Sequence, residues 1–179
     1  DLFVSTTDES ARVACEAVFR KLHRVVRLCV RVTPNRGRDI APMFCLFGSE
    51  LPGHDFIAHI HTKKSLYADG SMLGWREYLL QQLLGSEEQV RRIFTLFADD
   101  PGLGLVYPQN YWQLPYWGNT WLSNKRLGQE WCQRLGIKDM PEGYFDYPAG
   151  SMFWARTTGL RALFDAGILL ADFPSEIGQ

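Results

Sequence analysis

Two histidines two residues apart, His59 and His61, stand in "DFIAHIHTKKS", directly before Thr62, Lys63, Lys64 and Ser65. Side chains alternate along an extended chain, so imidazoles at i and i+2 share one face of a strand. Such a pair can begin a metal site. The hydroxyl and ammonium groups behind it suit phosphate oxygens instead. A hydrolase centre built from several histidines needs further imidazoles, and of the 4 in the chain only His23 and His54 remain. His23 falls late in a helical stretch and His54 just before the strand, at its opposite end. That excludes the multi-histidine centre and leaves open a site completed by carboxylates. The plainer alternative, a core His59 with solvated lysines, is costly at a buried strand end unless each polar group finds a partner.

A second cluster is "TPNRGRDIAP". Here Asn35, Arg36, Gly37, Arg38 and Asp39 follow a strand pattern and open a helical one. Backbone N–H groups and guanidinium forks in such a place suit an anion, and Asp39 can position either arginine or cap the helix. A solvated turn is the competing reading. Further on, "PAGSMFWAR" carries Gly150 and Ser151 in a turn that enters a strand, where another molecule can approach the backbone closely. Near the end, Asp172 and Glu176 in "DFPSEIGQ" are carboxylates of the kind that act as general bases. The aromatic run "YWQLPYWGNTW" either stacks on sugar faces or packs over the core or a neighbouring domain.

Composition narrows the classes. The 179 residues are enough for one domain with a core, and 46% of them are apolar. Lys and Arg total 19 against 20 Asp and Glu, a net charge of −1 that rules out a global field for nucleic acid or anionic lipid. None of the 4 cysteines forms a CxxC pair, which favours buried thiols over a disulfide framework. No signal peptide and no bilayer-length apolar run occurs; "GLRALFDAGILLADF" is broken by Arg161, Asp165 and Asp172.

The elements that must hold these residues alternate. Strands are expected in "LFVSTT", "VRLCVRV" and "DFIAHIH". A helix over "ESARVACEAVFRKLHR" has its apolar face at Val13, Ala14, Ala17, Val18 and Leu22, with Asp8 or Ser10 as the cap. Another is expected over "DIAPMFCLFGSEL". Helices follow over 73–84 and 86–98, the latter capped by Ser86, then a strand after "DDPG", a helix ending at Gly136, the strand of "GSMFWAR" and a last helix in "TTGLRALFDAGI". This alternation predicts an α/β domain spanning 1–179, with a mostly parallel sheet flanked by helices. Ligands of such sheets collect beyond the carboxyl ends of the strands, which is where "TPNRGRD" and "HTKKS" fall.

Taken in order, "NRGRDIAP" (35–42), "HIHTKKS" (59–65), "LLGS" (83–86), "DPGLGLVYP" (100–108), "PAGSMFW" (148–154) and "DFPSEIGQ" (172–179) resemble the rhamnan synthesis F family of bacterial polysaccharide biosynthesis. The resemblance implies a glycosyltransferase, of rhamnosyl type, serving O-antigens, lipopolysaccharide or cell-wall rhamnans. It also implies a GT-A-like, Rossmann-like nucleotide-sugar fold. The donor would be dTDP-L-rhamnose and the acceptor a growing glycan or lipid-linked glycan. On that mapping the donor diphosphate and sugar fall to Asn35, Arg36, Gly37, Arg38, Asp39, His59, His61, Thr62, Lys63, Lys64, Gly150 and Ser151, and acceptor deprotonation to Asp172 or Glu176.

One departure stands out: GT-A enzymes carry Asp-x-Asp where this chain has "HIHT". Asp99 and Asp100 precede their strand and are no substitute. The four cations Arg36, Arg38, Lys63 and Lys64 are then the preferred neutralisers of the diphosphate. No residue is assigned as a metal ligand, and an Mg or Mn requirement stays open. The opening inside a strand pattern and the abrupt end lead us to expect a fragment of a multidomain protein, its first strand lying before residue 1. The expected location is cytoplasmic, at the inner face of the membrane through other domains or partners, with no nucleic-acid partner. A non-catalytic glycan- or partner-binding module is the rival class, with the aromatic loop as its surface.

Overall fold

The computed structural model describes residues 1–62 and 74–174. The chain forms two compact units. The first joins Asp1–Gly53 to Gly167–Gln179, and the second is His54–Ala166.

The first unit opens with strand β1 (Leu2–Thr6), helix α1 (Glu9–Phe19) and strand β2 (Leu28–Val32). β1 and β2 pair in parallel from Leu2↔Leu28 to Thr6↔Val32, the arrangement a crossover helix permits. Asp8 starts α1 by accepting the Ala11 N–H at 2.8 Å. The helix turns a different side inward from the one its valines mark. Ala11, Cys15 and Phe19 are half-buried, whereas Val13 and Val18 are 54% and 59% exposed. Spacings of four residues give the sequence two apolar stripes, and the one carrying the aromatic ring is the half-buried one.

The stretch expected to be helical to Leu51 is shorter. It forms a wide π turn over Pro42–Leu46, then a 3-10 turn at Leu51–Gly53. Pro42 has no N–H to give to the helical ladder, and the bond that closes the turn runs from Phe47 N–H to Pro42 O at 3.1 Å. Ala41, Met43, Phe47 and Leu51 are buried. Phe47 packs on Phe3 with ring centroids 5.4 Å apart. Arg31, from β2, donates to Leu46 O at 2.6 Å and pairs with Glu50.

In the second unit, β3 (Phe56–His59), β5 (Phe153–Arg156) and β4 (Leu105–Val106) form an antiparallel sheet in the order β3-β5-β4. Helices α2 (Trp75–Leu84) and α3 (Glu87–Asp99) supply the buried side chains Leu79, Leu83, Ile93 and Phe97, which close with Met152 into one core. Ser86 caps α3 by accepting the Gln89 N–H, and Glu87 and Glu88 lie in its first turn. Arg156 ties β5 to the end of α3, donating to Phe97 O at 2.6 Å with its guanidinium 5.1 Å from the Phe56 ring centre. Gly159 and Gly104 let two backbone segments touch, since a Cβ on Gly159 would lie 2.8 Å from Gly104 Cα. The unit is completed by α4 (Lys125–Arg134) and the short α5 (Arg161–Asp165), the latter preceded by a 3-10 turn over Thr157–Leu160.

Candidate functional site

Motifs far apart in the chain meet in pairs, one pair within each unit.

In the second unit, "HIHT" meets the turn of "PAGSMFW". His59 and Phe153 face each other across the β3–β5 ladder, which carries both imidazoles toward the residues just before β5. A ring nitrogen of each histidine then donates to a carbonyl. His59 Nδ1 reaches Ser151 O and His61 Nε2 reaches Gly150 O, both at 2.6 Å. Because a carbonyl only accepts, these bonds put a proton on Nδ1 of His59 and on Nε2 of His61. The expected sharing of one strand face by His59 and His61 is therefore realised.

The turn itself is held in unusual backbone. Gly150 has φ +85 and Ser151 φ +55, a conformation that costs a side-chain-bearing residue about 1–2 kcal/mol. A Cβ on Gly150 would sit 2.6 Å from Leu79 Cδ1 and 3.1 Å from the Trp75 ring. Ser151 N–H closes the turn on Pro148 O at 2.8 Å.

Two further atoms gather around Gly150. His61 Nδ1 and Trp75 Nε1 are buried with no hydrogen-bond partner among the described residues. One is an acceptor and the other a donor. Burying either without a partner costs about 1–3 kcal/mol, and a hydroxyl, able to donate and to accept, is the chemical complement of both. Trp75 is a residue that sequence reasoning passed over as an ordinary helix position. Its place at the first turn of α2, shortly after the histidine motif, was the one available signal. Thr62 is exposed, and its carbonyl accepts from Arg76 at 3.3 Å.

In the first unit, "NRGRD" meets the segment containing Asp172. Arg36 donates from Nε to Phe173 O at 2.6 Å and from Nη2 to Ala171 O at 3.1 Å. Part of its guanidinium is thus directed at the chain itself, a role its sequence neighbourhood does not announce. Gly37 (φ +67) and Arg38 (φ +52) repeat the device of consecutive left-handed residues seen at Gly150 and Ser151. The Phe173 ring lies so close over Gly37 that a Cβ there would be 2.6 Å from it. Asn35 and Arg38 are exposed, and Asp39 is half-buried. Asp172 accepts the Leu169 N–H at 2.9 Å through Oδ2, so this candidate base also caps the 3-10 turn at Leu170–Asp172. Next to it, Cys45 Sγ lies 3.5 Å from Ile168 O; burial, and then the charge of Asp172, push its thiol pKa up.

Lys63, Lys64 and Glu176 lie outside the described residues. Among the described residues no group of three or more His, Cys, Asp or Glu is placed to hold a metal ion. Mg and Mn favour oxygen ligands, and the side chains brought together here are imidazoles, so these residues do not fit such a cation. No helix among the described residues is long and apolar enough to cross a membrane.

Comparison with known proteins gives the chain its family. The model of "Rhamnan synthesis protein F" matches residues 1–178. The uncharacterized protein WxcX of Xanthomonas campestris pv. campestris, strain B100, is 34% identical over 146 residues, covering 81% of this chain and 20% of the relative. The WxcX of strain ATCC 33913 matches with the same identity and coverage. The chain therefore spans about a fifth of the length of these curated relatives. No solved structure matches it. On the match along almost all of its length, the chain belongs to the rhamnan synthesis protein F family, a family of polysaccharide synthesis.

Proposed function

We propose that the chain is a GT-A-like glycosyltransferase domain that transfers L-rhamnose from dTDP-L-rhamnose to a growing cell-surface glycan. The observation that carries this reading is the anchoring of His59 and His61 to the carbonyls of Ser151 and Gly150. It joins two family motifs about ninety positions apart, and the same unit holds a buried acceptor, His61 Nδ1, and a buried donor, Trp75 Nε1, each without a partner among the described residues. Sugar hydroxyls complement such a pair.

In this reaction the acceptor hydroxyl oxygen attacks the anomeric carbon. The bond from that carbon to the diphosphate oxygen breaks, and dTDP leaves with the electron pair. The hydroxyl proton passes to a carboxylate, assigned to Asp172 or Glu176. The charge developing on the leaving group is assigned to cationic side chains rather than to a metal on Asp-x-Asp, Arg36 and Arg38 of the first unit being the described candidates.

The reading is tested by incubating the chain with dTDP-L-rhamnose and a rhamnose-terminated acceptor, with dTDP release and acceptor extension followed by chromatography. Equimolar release and extension, lost in His61→Ala while the fold is kept, is the expected result. Neither product forming at any acceptor length would overturn it.

A further inference from the structure

Several aromatic residues of the second unit face solvent, although the segments that carry them are tightly knit. Asn119, only 3% exposed, exchanges two bonds with Phe145. Its carbonyl accepts the Phe145 N–H at 2.9 Å, and its amide donates to Phe145 O at 3.3 Å. Tyr147 Oη donates to Gly118 O at 3.0 Å. Trp121 is the keystone: its N–H donates to Pro141 O at 2.7 Å and its ring packs at a tilt on Phe145, centroids 4.8 Å apart. That ring also covers Gly128 of α4 so closely that a Cβ there would be 2.6 Å away.

With Trp121 and Phe145 turned inward, Tyr116, Trp117 and Tyr144 are left 80%, 53% and 59% exposed. Large rings held in the open on a braced scaffold have lost mobility without gaining burial. A ligand that stacks on them recovers that loss.

The segment that Trp121 grips at Pro141 also forms one wall of a cavity of about 450 Å³ beside α4, a volume in the usual range of ~300–1,000 Å³ for small-molecule sites. Its lining includes Gln129, Gln133, Lys125 and Glu142. Amides donate and accept at once, as a hydroxyl-rich ligand requires. Lys125 lies 3.8 Å from Glu142, which leaves Lys138 as the remaining charge in the lining, too little to gather a polyanion.

We infer that Tyr116, Trp117 and Tyr144, with the cavity lined by Gln129 and Gln133, form a binding surface for a neutral oligosaccharide rich in 6-deoxyhexose. The methyl group and C–H faces of such sugars lie on the rings, and the hydroxyls of the following residue meet the amides. The inference rests on the chain's membership of a polysaccharide-synthesis family and not on sugar transfer, so it holds or fails apart from the donor chemistry.

The test titrates the full chain with a rhamnose tetrasaccharide, with maltotetraose as the control glycan and dTDP as a separate arm. Calorimetry and tryptophan fluorescence provide the readouts. We expect the rhamnose tetrasaccharide to bind in preference to maltotetraose. Trp117→Ala, Tyr144→Ala and Gln133→Ala each weaken it about tenfold or more, while dTDP affinity and the thermal melt stay those of the parent chain. Binding equally strong in the Trp117→Ala/Tyr144→Ala double variant, or no binding by the parent chain, overturns the inference. So does sedimentation in which those two substitutions dissolve a dimer and leave glycan affinity unchanged, because the surface is then a contact between two copies.

Discussion

His61 donates its Nε2 proton to Gly150 O across 2.6 Å, from a strand end to a turn 89 residues later. The bond fixes the tautomer and leaves Nδ1 buried as a lone pair without a donor among the described residues. Gly150 is suited to receive it because its φ of +85 aims the carbonyl while Leu79 and Trp75 fill the space a side chain would need.

Gly150→Ala should therefore be among the most damaging small substitutions in the second unit. Left-handed strain and the clash with Leu79 together cost about 2–4 kcal/mol. Urea denaturation measures it, and a midpoint equal to that of the parent chain would show that the turn relaxes without loss.

Arg36 is predicted to act as a fork rather than as a simple positive charge. Arg36→Ala removes the bonds to Phe173 O and Ala171 O, a loss of about 1.5–3 kcal/mol for charged hydrogen bonds. Arg36→Lys should behave much like the alanine variant, since one ammonium does not reproduce two diverging N–H groups. Amide hydrogen exchange in residues 167–174 reads the effect directly, and full protection in the lysine variant would contradict it.

Glu50 supplies a pH-dependent contribution in the first unit. The Ser49 hydroxyl and then the Arg31 guanidinium hold its carboxyl below the ordinary value. The unfolded chain then binds that proton more readily than the folded one, so the stabilisation is present above the unfolded pKa, ~4.3. It is lost as pH falls through the lower folded value. The Arg31 and Glu50 side chains are 38% and 14% exposed, which limits the effect to about 1 kcal/mol. Thermal melts of the chain and of Glu50→Gln from pH 7 downward should converge in acid; a constant gap between them would remove Glu50 from the account.

The orientation of α1 gives a test by contrast. Val13→Ser and Val18→Ser alter exposed positions and should shift stability by no more than about 0.5 kcal/mol. Phe19→Ala, on the half-buried side, should cost about 1–2 kcal/mol. The reverse ranking in chemical denaturation would mean that the valine stripe is the packed one.

Particular elements show how far the sequence could be read. α3 was legible to within a residue because Ser86, Glu87 and Glu88 mark its start by local chemistry. Asp8 announced α1 in the same way, and strict alternation placed His59 and His61 on one face. The buried side of α1 was not legible, because two apolar stripes compete and only the packing partner chooses between them. Pro42 was expected to be tolerated in a first turn, yet the turn it sits in is wide and brief. The antiparallel register that sets β3 against β5 joins residues about a hundred positions apart, and local patterns carry no such information. For the same reason the sequence named "HIHT", "PAGS", "NRGRD" and "DFPS" separately, while their meeting in pairs came only with the fold.

If this chain holds a nucleotide-activated rhamnose, calorimetric titration with dTDP-L-rhamnose detects it. Saturable binding is expected, weakened about tenfold or more in His61→Ala, a variant that still melts cooperatively but at a lower temperature because Gly150 O loses its donor, with dTDP alone binding more weakly than the sugar nucleotide. No heat of binding for either dTDP or dTDP-L-rhamnose, in a chain that melts cooperatively, would contradict it.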